Sequence, residues 1–196
     1  MESREHRFLL LAEEAGGCRL CPGMASKTAV LSNANGSLRP RALFVAEAPG
    51  RQGGDRTRIP MCGDATGRTF DLLLASIDLT RQDVFITNAV LCNPHTESGA
   101  NRPPTRREVR TCNSFLSRLI ALLDPPVVVT LGAKALAALA LVEPHGLTLG
   151  ADVARPVQWN GRILVPLYHP SPQVLISRRS LEEQREDWRV IRDLIR

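Results

Sequence analysis

Lysine is nearly missing from this chain. Lys27 and Lys134 are its two lysines, against a total of 25 basic and 20 acidic residues. The formal net charge of +5 is therefore carried by arginine. Arginine's planar fork of donors matches phosphates and base edges better than a point-like ammonium does. A basic, arginine-dominated chain points to an anionic partner, and nucleic acid is the commonest large one. Arginine used only for solubility is the competing explanation, and composition does not choose between them. Long apolar runs are missing too: no stretch approaches the roughly 20 residues of a membrane-spanning helix. The opening MESREHRFLL lacks a purely basic leader, a long apolar segment and a small-residue cleavage site. A cytoplasmic protein is expected, with no membrane partner. Repeats and low-complexity tracts are also lacking. The cysteines number five, and an odd count without an export signal argues against a disulfide framework. Metal or cluster binding, or inert burial, remains. With 196 residues, 43% of them apolar, the chain suits one domain spanning 1–196.

Apolar periodicity predicts a helix over 4–15, with Phe8, Leu11, Ala12 and Ala15 on one face. A buried strand over 42–46 ends at Glu47-Ala48-Pro49-Gly50. Residues 50–66 show no period and read as a long loop, a feature that is often functional. A helix over 67–78 precedes a strand over 83–87 that runs into Asn88. Breakers fill 92–104. Thr105 and Glu108 have capping-box spacing, opening a helix to about residue 123. Residues 127–131 are almost wholly apolar, as a central parallel strand should be. An alanine-rich helix follows to about residue 142. The strand over 163–168 ends at His169-Pro170-Ser171, and a second capping box at Ser180 and Glu183 opens the last helix. Strands alternating with helices predict an α/β fold, an α/β/α sandwich around a central, mostly parallel four-stranded sheet. Ligands of such sheets sit beyond the carboxyl ends of the strands. Glu47, Asn88 and His169 fall at three of those ends.

Cys18 and Cys21 form a Cys-x2-Cys pair, a common half-site for zinc or iron–sulfur ligation. Cys92 follows a strand and Cys112 lies within the helix opened by Thr105. A loop returning on itself brings them toward the first pair. Four thiolates suit either zinc or a [4Fe–4S] cluster, and buried inert cysteines remain the plain alternative.

Glu47-Ala-Pro-Gly50, Thr87-Asn88, Cys92…Cys112 and His169-Pro-Ser171, in this order, resemble the motif set of the uracil-DNA glycosylase superfamily. The cysteine pattern is similar to its iron–sulfur classes, families 4 and 5. The resemblance runs from Cys18 to about Leu175. It implies a [4Fe–4S] cluster held by Cys18, Cys21, Cys92 and Cys112, structural and not redox-active. Glu47-Ala-Pro-Gly50 is similar to family 4, where this acid is a catalytic candidate. Arg56-Thr57 through Pro60-Met61-Cys62-Gly63-Asp64 has the length and Gly-Asp ending of family 5, which usually lacks both the acid and the asparagine. Both families usually place a base-stacking phenylalanine where Met61 stands. A related branch traps DNA covalently through a histidine at the position of Asn101; His95 lies six residues earlier, so hydrolysis without trapping is expected.

The implied reaction is hydrolysis of the N-glycosidic bond of uracil in DNA by a monofunctional repair glycosylase, with other deaminated bases open as substrates. His169 would donate to a uracil carbonyl as charge develops. Glu47 would orient water or stabilise the cationic sugar. Ala48, Gly50, Met61, Asn88 and Ser171 would contact the base, the Asn88 amide matching uracil's carbonyl and N3–H edge. The base must be flipped out or already single-stranded. Residues 169–179 resemble the DNA-wedging loop, its usual leucine replaced by Gln173 and Val174, with Leu175 near. Arg178 and Arg179, and Arg102, Arg106, Arg107 and Arg110, would track phosphates. A monomer on nucleoid DNA is expected. Each residue also has a plain use. Glu47 would pair with an arginine such as Arg58, Asn88 would cap its own strand, and His169 would be structural. The rival functions are a damage-binding protein of the same fold that cuts weakly or not at all, motivated by Met61, and an unrelated zinc protein.

Overall fold

A computed structural model describes residues 2–195. Its core is one sheet of five strands: β1 (Ala42–Ala46), β2 (Val84–Asn88), β3 (Val127–Leu131), β4 (Val157–Trp159) and β5 (Arg162–Leu167), in the order β2-β1-β3-β5-β4. The expected four strands form a parallel set. The fifth, β4, joins antiparallel to β5 at the edge, through Asn160 and Gly161, both at positive φ. It was missed because a strand of three residues carries too little alternation to register as a period.

Each parallel strand is buried on both faces, so its residues sort by parity. Leu43, Val45, Phe85, Val128 and Leu164 face one layer, packed with α1 (Arg4–Gly17), α4 (Arg106–Leu123) and α5 (Ala133–Leu139). Phe44, Ile86, Val129, Val165 and Leu167 face the other, packed with α3 (Ala65–Ala75) and α8 (Leu181–Leu194). In that second layer the Phe44 and Trp188 rings stack with centroids 5.2 Å apart, and Phe70 meets both edge-on. These contacts give the expected α/β/α sandwich.

The caps are where the sequence places them. Thr105 and Glu108 close a capping box on α4, and Ser180 and Glu183 close one on α8. The 50–66 segment is less irregular than expected. It holds a single helical turn, α2 (Gly54–Thr57), and α3 already begins at Ala65 under an Asp64 cap. A short helix, α6 (Leu149–Asp152), precedes β4. Residues 169–179, expected as loop, contain α7 (Pro172–Ser177), whose Pro172 sits in the first turn where a missing N–H does no harm. No helix among the described residues is long and apolar enough to cross a membrane.

Candidate active site

From β1 the chain steps to one side to form β2 and later to the other side to form β3, so the topological switch lies between β1 and β3. A crevice opens there beyond the carboxyl ends of the strands, where open α/β sheets bind ligands. It is an open cleft of about 470 Å³ whose walls include Glu47, Ala48, Gly50, Met61, Asn88, His169, Ser171 and Val174. Glu47 follows β1 directly, Asn88 ends β2, and His169 stands two residues past β5. Parallel register makes Ala46 and Asn88 partners, so the acid and the amide are neighbours by construction. The expected base-binding residues and both expected catalytic residues share this one cleft.

The plain uses are not taken up. Arg58 donates to the carbonyls of Thr28 and Ala29 and approaches Asp55 at 4.0 Å, leaving Glu47 alone. Asn88 is buried and its Nδ2 has no partner among the described residues. An unpaired buried amide is costly, by about 1–3 kcal/mol, and such groups call for an explanation. A ligand edge in the cleft supplies one.

Electrostatics separates the two titrating groups. Burial raises the Glu47 carboxyl above the ordinary carboxylate range, and the Lys134 ammonium partly offsets it. Burial drives His169 down to about 4, against the pull of the Asp64 carboxylate. The imidazole is therefore neutral at physiological pH, able to donate a hydrogen bond without carrying charge.

The floor is fixed by contacts that the motifs did not foretell. Buried Asn93 donates to the Pro49 carbonyl at 2.7 Å and to Asn101 Oδ1 at 2.9 Å; that oxygen also accepts the Arg51 N–H at 3.0 Å. The loop after β2 is thus laced onto the loop after β1. Asp64 Oδ1 caps α3 at the Gly67 N–H, 2.9 Å away. A side chain at Gly53 would collide with the Asp64 carboxylate, so this wall is closed by glycine. Met61 sits at φ 51°, its carbonyl held by Arg81, which also donates to Pro60. Only an Asn-Pro or Gly-Asp pair in a breaker-rich stretch hinted at these contacts.

The arginines divide. Arg102 forks onto Glu108 at 2.6 and 2.8 Å and donates to the His95 carbonyl, bracing the loop before α4. Arg179 forks onto Asp187 at 2.7 and 2.9 Å. Both are paired within the chain while still partly exposed, and Arg102 also lines the cleft; sequence could not foresee the pairing because their acids lie six and eight residues on. Arg106, Arg107, Arg110 and Arg178 are exposed. On α7, Gln173 is exposed and Val174 lines the cleft. The most exposed large apolar side chain is Ile176, at 88%, three residues past Gln173 and unremarked in the sequence.

Cys18, Cys21, Cys92 and Cys112 line a second, largely apolar pocket between α1, the loop after β2 and α4. Cys112 Sγ accepts the Leu91 N–H at 3.3 Å. As thiols, burial pushes Cys92 up to about 11 and Cys112 up to about 12. No group of His, Cys, Asp or Glu among the described residues is gathered for a single metal ion. Four thiols around one pocket supply a donor set that suits zinc or an iron–sulfur cluster.

Fold and cleft define a class: an α/β/α sandwich presenting an acid, an amide and a neutral imidazole around an open cleft at the switch point. A family model described as the uracil DNA glycosylase superfamily matches residues 34–194. The chain is 34% identical over 186 residues to the Type-4 uracil-DNA glycosylase of Thermotoga maritima, covering 94% of this chain and 91% of that one. Identity to the Type-4 enzyme of Archaeoglobus fulgidus is 32% over 189 residues, with 94% and 91% covered. A Type-5 uracil-DNA glycosylase of Pyrobaculum aerophilum is 32% identical over 157 residues, 70% of this chain and 64% of that one. The chain belongs to the uracil DNA glycosylase superfamily, with likeness to both types.

Proposed function

We propose that this protein is a monofunctional uracil-DNA glycosylase acting in DNA repair. It hydrolyses the bond between uracil and deoxyribose after the nucleotide has turned out of the helix into the cleft. The observation that carries the reading is the meeting of Glu47, Asn88 and His169, from three distant segments, around one pocket. Heterolysis leaves cationic character on the sugar and negative charge on the base. Neutral His169 donates a hydrogen bond to the uracil oxygen where that charge gathers. Glu47, as carboxylate, faces the sugar, where it stabilises positive charge and orients the water that adds to C1′. Asn88 reads the base edge; cytosine presents the opposite donor and acceptor order and leaves the buried amide mismatched.

Cys18, Cys21, Cys92 and Cys112 would hold a [4Fe–4S] cluster, whose contribution is structural. Bound there, it would tie the loop after α1 to α4 and so fix the 92–104 segment that floors the cleft. Arg106 and Arg178 contact phosphates. Ile176, beside Gln173 and Val174, is the apolar wedge that fills the gap left by the extruded base. DNA, single- or double-stranded, is the partner of a monomeric enzyme working on the nucleoid in the cytoplasm.

The test is release of uracil from a uracil-containing oligonucleotide, leaving an alkali-labile abasic site. Glu47→Gln and His169→Ala should each suppress it; an intact oligonucleotide with fully loaded protein would sink the reading. Met61 in place of an aromatic stacking partner favours a second reading, a damage-binding protein that cuts weakly. Tight binding to uracil-containing DNA without base release is its signature.

A further inference from the structure

Three of the four parallel strands place a polar residue at the cleft: β2 gives Asn88, β1 gives Glu47 and β5 gives His169. The fourth, β3, lies between β1 and β5 and contributes nothing to the chemistry proposed above. Its carboxyl end is built for proximity. Gly132 has φ 97°, a backbone that side-chain-bearing residues avoid, and a Cβ there would stand 3.5 Å from His169 Cβ. Register continues Val45↔Thr130 to place Gly132 level with Glu47. Two residues on, Lys134 is exposed and near enough to Glu47 for its charge to act on that carboxyl.

Lysine here is not background. In a chain of 25 basic residues, two are lysines. Lys27 is bound to Asp55 at 2.7 Å. Lys134 has no hydrogen bond or ion pair among the described residues. A free ammonium on a flexible stem therefore stands near Glu47, on the helix that follows Gly132.

The extruded nucleotide needs a cation there. If its base lies against Asn88 and His169, its sugar lies at Glu47, and the phosphates attached to that sugar sit just outside, within a few ångströms of a carboxylate that repels them. We propose that Lys134 is the phosphate anchor of the cleft, its ammonium binding the backbone phosphate next to the extruded nucleotide. A compact, rotatable charge suits this place, since the phosphate swings in with the nucleotide and presents no fixed bidentate geometry. The inference rests on the reading that Glu47 and His169 receive that nucleotide.

The test uses holoprotein and a duplex containing 2′-fluoro-2′-deoxyuridine, whose electron-withdrawing fluorine blocks cationic character at the sugar and leaves the nucleotide bound but uncut. Single methylphosphonates neutralise, one at a time, the phosphates on either side of it. Lys134→Gln should weaken binding about tenfold, as loss of a charge-assisted bond does. It should reduce the slope of log affinity against log salt by roughly 0.9, and Lys134→Arg should restore most of both. Neutralising one flanking phosphate should weaken the parent protein by the same factor and leave Lys134→Gln unaffected. Losses that multiply at every position, or an unchanged salt slope, overturn the anchor. Uracil release from the natural substrate is measured in parallel. If release persists while the anchor fails, only this inference falls; if the parent protein releases no uracil, the proposed function falls with it.

Discussion

At the residue scale, burial shifts His169 down and Glu47 up, both toward the neutral form. His169, held near 4, is neutral in the folded protein well below the pH at which a free imidazole protonates. Because its folded pKa lies below the unfolded value near 6.5, the unfolded chain takes up the proton first. Stability conferred by the neutral form is present above about pH 6.5 and lost as pH falls toward 4. Denaturant unfolding of the parent protein and His169→Gln across that window should converge as pH drops. Activity reports the other group. In the proposed reaction Glu47 acts as carboxylate, and burial raises its pKa, so base release should fall on acidification through a limb above the ordinary carboxylate range. Glu47→Gln should lower the rate about 10²–10⁴-fold and abolish that limb in a single-turnover pH profile. A limb that persists in the variant assigns the titration elsewhere. Met61 offers a gain. An aromatic ring in its place adds about 0.5–1.5 kcal/mol of stacking, so Met61→Phe should lower KM several-fold with kcat little changed.

At the element scale, α4 carries Cys112 on its second turn and depends on its first. Glu108 closes the capping box at Thr105 N–H, 2.7 Å away, and receives both Arg102 nitrogens. The Arg102 guanidinium holds its carboxyl down to about 2. The folded pKa lies below the unfolded one, so this stability is present above about pH 4.5 and lost as pH falls toward 2. Thr105→Ala should lower stability by about 1 kcal/mol. Glu108→Gln should lower it further and flatten its acid dependence below pH 4.5, both read by thermal unfolding. This cap shows what the sequence made legible. Thr105 and Glu108 lie three apart and announce the helix, whereas the Arg102 fork depends on where the 92–104 loop returns. The same division holds in the cleft. Glu47, Asn88 and His169 end apolar runs and were readable as strand ends. Asn93 acts through its contact with Pro49, on another segment, and nothing local marks that contact. Strand β4 is too short to show a period, and α7 is hidden because Pro170 and Ser171 precede it and Pro172 opens it. Ile176 on α7 follows from the same helix: with 88% of its surface exposed, Ile176→Ala should slow uracil release from duplex DNA more than from single strands, since only the duplex has a stack to replace.

At the scale of the whole molecule, the four cysteines join parts of the chain that the sheet alone does not hold. Cys18 and Cys21 close the segment after α1, Cys92 follows β2, and Cys112 lies in α4. A cluster ligated by all four cross-links loops of some seventy and twenty residues, and such closures remove conformational freedom that grows slowly with loop length. Burial raises the Cys21, Cys92 and Cys112 thiols, Cys112 to about 12, so without a cluster these remain protonated and leave an apolar pocket unbraced between α1 and α4. Ligation requires them as thiolates, which couples cluster binding to folding. Cys18→Ser should therefore abolish the broad absorbance near ~400 nm of thiolate-ligated iron and lower the unfolding temperature. The effect should be local before it is global. Amide exchange should quicken in α1, in the 92–104 loop and in the first turns of α4, while β1, β3 and α8, on the far layer and the sheet centre, keep their protection. Because that loop carries Asn93 and Asn101, which lace the cleft's floor to Pro49 and Arg51, affinity for uracil-containing DNA should fall with it. A colourless variant with unchanged exchange in the 92–104 loop and unchanged DNA affinity would separate the cysteines from the cleft and leave them a local staple of α1 to α4.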